Sequence, residues 1–164
     1  VGIFDKAKNF FGGHGLKVEI TRLERQDPAA VTFPIGDSVF KGNYRVIADK
    51  DCVVLNHTHE FLARRKHPDG RVEDHVLGRD RHDEHTDIIG GTIKWPYDLK
   101  GGASVDDSFL ISDIDIADGM KKLGFGSADE GAGSPQVSFI LRVSADVKGS
   151  PFDPNAEATV RVLT

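Results

Sequence analysis

Six of the seven histidines fall between His57 and His85, and theirs are the residue types and spacings in this chain that could do chemistry. His57 and His59 stand two apart, so on an extended strand both project to one face, where two imidazoles can share a metal ion. His82 and His85 follow, with Asp80, Asp83, Glu84 and Asp87 around them as further ligands. The candidate metal set is therefore His57, His59, His82 and His85. The plainer reading makes His57 and His59 half-buried residues at a sheet margin, sharing their face with Val53, Leu55 and Phe61. The segment RDRHDEHTD is not the His-Glu-x-x-His of zinc hydrolases, because its second position is Asp and its span is one residue short. Residues 57 to 87 also form a titrating surface with six His, six Lys or Arg and eight Asp or Glu, which protonation near about pH 6 turns from slightly acidic to positive.

Other chemistry finds less support. The one cysteine, Cys52, excludes an internal disulfide and lies in the apolar run CVVL, which reads as a buried structural thiol in a reducing compartment. No serine sits in a Gly-x-Ser-x-Gly elbow. SDIDIADG fails as a calcium loop: counted from Asp113, the fifth position is Ala117 and the sixth is Asp118 rather than glycine. GFGSADEGAG lacks the strand before it and the helix after it that would let its glycines cradle a phosphate. Arg64, Arg65, Lys66 and His67 make a basic cluster without interleaved aromatics, and 21 basic against 26 acidic residues leave a net charge of −5, so nucleic acid is not an expected partner. No catalytic residue and no cofactor are expected; the chain reads as a non-enzyme.

The elements that would position these residues are mostly strands. In QVSFILRVSADV, the residues Val137, Phe139, Leu141, Val143, Ala145 and Val147 alternate with polar ones, the period of a half-buried strand. After the turn GSPFDPN the alternation resumes at Ala156, Ala158, Val160 and Val162, an antiparallel partner. Earlier strands start at Leu16, Val18 and Ile20, and at Phe40, Gly42, Tyr44, Val46 and Ala48, where Gly42 implies a bulge or a close backbone approach. CVVLNHTHEFLARR folds back through KHPDG onto RVEDHVLGRDR as a hairpin. Short strands are expected at about Thr92 to Trp95 and Ser108 to Ile111. A helix is expected at Asp113 to Leu123, capped by Ser112 or Asp113, and GFGSADEGAGSP is expected to be an exposed loop.

The first residues differ in kind. Ile3, Phe4, Ala7, Phe10 and Phe11 recur at three- and four-residue steps before Gly12 and Gly13, the mark of an amphipathic helix over 1–13. At about ten residues such a helix is marginal alone, so its aromatic face must pack on its own domain, a partner or second subunit, or a membrane surface. Residues 14–164 are long enough for one domain burying roughly 70% of its unfolded surface. No apolar run approaches the ~20 residues of a membrane span, and the start lacks the pattern of a signal peptide, so a cytoplasmic location is expected.

Eight or nine strands, two brief helices and no βαβ alternation make an all-β, immunoglobulin-like sandwich the expected architecture. The stretch PIGDSVFKGNYRV from Pro34 resembles the early strands of arrestin-like domains, and ILRVSADVKGSPFDPNAEATVRVL resembles their closing strands. The amphipathic start followed by GLKVEITRLE is similar to the opening of the bacterial sporulation-control proteins, which carry such a domain. The resemblance implies an arrestin-like β-sandwich acting as a non-enzymatic adaptor or regulatory scaffold, with protein partners or further copies of itself. A protein binding metal or a small ligand through the His-rich hairpin is the alternative.

Overall fold

The computed structural model describes residues 15–27, 30–85 and 93–164. Alternating apolar residues draw the chain into two facing sheets. In β1 (Leu16–Leu23), Leu16, Val18 and Ile20 point inward, and a register irregularity between Ile20 and Arg22 lets Leu23 turn inward too. β3 (Phe40–Ala48) buries Phe40, Gly42, Tyr44, Val46 and Ala48 and pairs antiparallel with β1 and with β7 (Ser104–Ile111), closing a three-stranded sheet in the order β1-β3-β7. Gly42 marks a close approach: an added Cβ would lie 2.6 Å from the Phe109 ring and 2.8 Å from the Arg22 carbonyl oxygen.

The second sheet contains β2 (Val31–Pro34), β4 (Cys52–Lys66), β5 (Val72–His82), β6 (Tyr97–Leu99), β8 (Val137–Val147) and β9 (Asn155–Leu163). Its order is β2-β9-β8-β4-β5, with β6 pairing onto the start of β4; β2 and β9 run parallel and the other pairs antiparallel. Between the sheets, Phe33, Phe40, Phe61 and Phe139 join into one aromatic cluster with ring centroids 5.1–6.2 Å apart. Each such buried ring stabilises the fold by about 1.5–3 kcal/mol.

Several expectations need correction. The helix over Asp113–Leu123 is shorter, α1 (Ile116–Lys122), and its cap is Asp115, whose side chain accepts from the Asp118 N–H; Ser112 and Asp113 lie outside it. Beyond the single further helix expected there is α2 (Ala128–Ala132), inside the stretch read as a loop. Ser127 caps it, accepting from the Glu130 N–H, while Glu130 reaches back to accept from the Gly126 N–H. That Ser-x-x-Glu pairing was a visible start signal, but a five-residue helix is too short to show an apolar stripe. Residues 93–95 form no strand. Pro96 has no N–H to give a ladder, and the strand begins beyond it at Tyr97. Cys52 is half-buried rather than buried, and burial pushes its thiol up. The amphipathic segment 1–13, with Ile3, Phe4, Ala7, Phe10 and Phe11, lies outside the described residues.

Candidate functional site

A single extra residue in β4 decides which histidines face the core. The pairing of β4 with β8 steps from Val54–Val147 to Asn56–Asp146, leaving Leu55 as a bulge. The phase flips there, so Val54, His57, His59, Phe61 and Ala63 face inward, while Val53 and Leu55 are half-exposed. His57 and His59 therefore do not share a face with Val53 and Leu55, and they are not marginal: both are 0% exposed.

The hairpin register then sets their neighbours. His57 lies opposite His82 and His59 opposite Asp80 across the β4–β5 pair. From the facing sheet, paired Tyr44 and Asp107 project into the same space. The Tyr44 hydroxyl lies 2.5 Å from His57 Nδ1 and donates to Asp107 Oδ2 at 2.9 Å; His57 Nε2 is 2.7 Å from the Tyr97 hydroxyl. These partners assign the protons: Tyr97 donates to Nε2, and Nδ1–H donates to Tyr44. His82 Nδ1 donates to Asp107 Oδ2 at 3.0 Å, and its Nε2 is 3.3 Å from Asp80 Oδ2. His59 Nδ1 is 3.2 Å from the same Asp80 oxygen, and its Nε2 has no hydrogen-bond partner among the described residues.

The electrostatics follow from this pairing. Burial and the hydrogen bond to Asp107 make the Tyr44 hydroxyl much harder to ionise, and burial does the same for Tyr97. Hydrogen bonds to Asp107 and Asp80 push His82 up to about 10, making it the cation between two carboxylates. Burial by itself would raise Asp80 and Asp107, yet the histidines bonded to them hold both well below the usual carboxylate range. Burial lowers His59, outweighing its bond to Asp80, and so favours its neutral form. Ionisable groups survive between sheets when each finds such a partner.

Of the four histidines picked from sequence, the structure brings His57, His59 and His82 together and leaves His85 apart, with its side chain 80% exposed beside Glu84. His57 is occupied by two tyrosine hydroxyls, and Asp80 takes the place in the cluster that His85 lacks. Tyr44, Asp107 and Tyr97 were missed, since they lie far along the chain. A signal existed: Asp107 falls in phase with the inward residues Val105, Phe109 and Ile111. The basic cluster is largely absorbed. Arg64 forks onto Asp74 and Glu157, Arg65 donates to the Leu123 carbonyl and lies over the Phe125 ring, and His67 pairs with Glu73.

No family model matches this chain, and no curated protein does. Among solved structures, Spo0M, the sporulation control protein from Bacillus subtilis, matches with a TM-score of 0.58 at 12% identity, over 92% of this chain and 50% of that one. The chain shares its fold. The all-β, arrestin-like sandwich expected from the strand pattern is the architecture present, and it spans half the length of Spo0M. At that identity the likeness concerns the fold alone. Among the described residues, no helix is long and apolar enough to cross a membrane.

Proposed function

We propose that this chain is a non-enzymatic regulatory domain that acts in the cytoplasm by binding protein partners or further copies of itself. The observation that carries the reading is the fold likeness to Spo0M, a sporulation control protein, over 92% of the chain. Two features support it. The interior ionisable groups of β3, β4, β5 and β7 are largely spent on one another, and a sandwich offers partners its strand edges and end loops. The aromatic face read over Ile3, Phe4, Ala7, Phe10 and Phe11 is the partner-binding element.

Replacing Phe4, Phe10 and Phe11 together by Asp tests this. Sedimentation should show loss of self-association, or cross-linking with mass spectrometry in the native cell should lose a defined set of partner links, with the β-sheet circular dichroism unchanged. Unfolding of the triple variant would make the segment part of the core and sink the reading. Liposome binding that vanishes on deleting residues 1–13 would replace it with a peripheral membrane role.

A further inference from the structure

We infer that His59 Nδ1, Asp80 Oδ2 and His82 Nε2 form a binding site for one divalent transition-metal ion of zinc-like ligand preference, where β4 and β5 meet β7. One ligand atom from each residue lies within 4.8 Å of the others. The two nitrogen-to-oxygen spacings are 3.2 and 3.3 Å. Two ligands on a tetrahedral ion with bonds of about 2.0–2.1 Å lie about 3.3 Å apart, so these two spacings suit an ion as they stand, and the third, within 4.8 Å, closes as the ion binds.

The surroundings are those of a ligand set. His82 Nδ1–H is held by Asp107 at 3.0 Å, which turns Nε2 toward Asp80; an ion bound there takes the place of the proton that Nε2 carries in the cation. A carboxylate fixing the far nitrogen of a ligating imidazole is the usual outer support of a metal site. Asp80 Oδ2 also accepts from the Leu110 N–H at 3.3 Å, so the oxygen is aimed by backbone as well as by side chains. The His59 ring is clamped between Phe109, stacked at 5.3 Å, and Tyr44 at 4.8 Å. The ring is fully buried, and Nδ1 is the nitrogen it turns to Asp80. Asp80 and His82 keep side-chain exposures of 24% and 21%, which give an ion a way in and leave a coordination position open to water or a partner's donor atom.

Two imidazoles and one carboxylate select a borderline first-row ion rather than calcium or magnesium, which prefer all-oxygen shells. The site draws on Asp80 in place of His57 and His85, and it stands independently of the partner-binding reading.

The test uses the full chain purified without a histidine tag, stripped with chelator and titrated with zinc chloride or cobalt chloride alone. Calorimetry and elemental analysis after dialysis should give one ion per chain, and bound cobalt should show the intense visible bands of a low-coordinate site. His82→Gln and Asp80→Asn should each weaken zinc binding by at least about tenfold, and His85→Gln should leave it unchanged. Substoichiometric binding by the parent chain overturns the site, as does full affinity in folded His82→Gln. Should Asp80→Asn fail to fold, nitrogen-15 spectra of the parent chain decide: zinc must shift the ring nitrogens of His59 and His82 and spare those of His67 and His85, and any other pattern rejects it.

Discussion

The Tyr44 hydroxyl links the two sheets through one atom, bonded to His57 of β4 at 2.5 Å and to Asp107 of β7 at 2.9 Å. Tyr44→Phe keeps the ring and its packing but removes the bridging hydroxyl: His57 Nδ1–H loses its 2.5 Å acceptor and is left with Asp107 Oδ2 at 3.4 Å, while Asp107 Oδ2 keeps His82. Weakening the pairing of a buried N–H in this way costs up to about 1–3 kcal/mol. In chelator-treated protein the variant should show a lower urea midpoint with an unchanged slope, while Asp106→Asn, which breaks only an exposed pair with Arg45 on the outward face of β7, should keep a midpoint close to the parent's. Equal midpoints for the two variants would mean that the network adds no stability. Only part of this site was legible. The pair His57 and His59 stood out by type and spacing, but their depth depended on the Leu55 bulge, which no periodicity displays. Tyr44 and Asp107 were unpairable on paper, because a sequence shows which face a strand residue takes and not which residue of another strand meets it.

At the scale of the element, β4 carries charge on one face as it carries histidine and phenylalanine on the other. Across the outer face of the larger sheet, Arg64 of β4 bonds Asp74 of β5 and Glu157 of β9, Arg142 of β8 approaches Glu60, Asp74 and Glu157, and Arg79 of β5 bonds Glu60. Opposite charges on directly facing strands stabilise a sheet and pin its register. The hydrogen bond from Arg64, outweighing burial, holds the Asp74 carboxyl below its usual range. A depressed carboxylate contributes stability that is present above its unfolded value near 3.9 and is lost as pH falls through the folded value. With both partners partly exposed, the pair contributes about 0.2–1 kcal/mol. Asp74→Asn should therefore lower the melting temperature at neutral pH, and its deficit should shrink toward zero as the medium is taken below about pH 4. A deficit that stays constant across that range would assign the loss to packing instead of charge. The strands themselves were legible because alternation survives in a two-faced sheet. The helix α2 was not, because its signal was a single cap.

For the whole molecule the decisive strand is the last. β9 lies between β8, joined to it by a legible hairpin, and β2, laid parallel to it from far earlier in the chain with Val31 against Val160 and Phe33 against Val162. Alternation announced β9 and the turn before it; nothing in either stretch announced the parallel partner, since period fixes faces and leaves neighbours free. Until β9 docks, β8 has an open edge and β2 lacks its strand partner, so that side of the larger sheet is incomplete. The two sheets share one core, to which β9 supplies Ala156, Ala158 and Val160. Val160 is 3% exposed. An aspartate there is an unpaired buried charge whose cost of several kcal/mol takes up most of the roughly 5–15 kcal/mol by which domains are stable. Val160→Asp should abolish the cooperative unfolding transition and leave the chain open to protease. Arg161→Asp, one residue on and facing solvent, should melt within a few degrees of the parent. A chain ending at Asp153 should behave like Val160→Asp, and its rapid digestion should persist at concentrations where the parent is untouched. A truncated chain that still unfolds cooperatively would show that the two sheets close without their final strand.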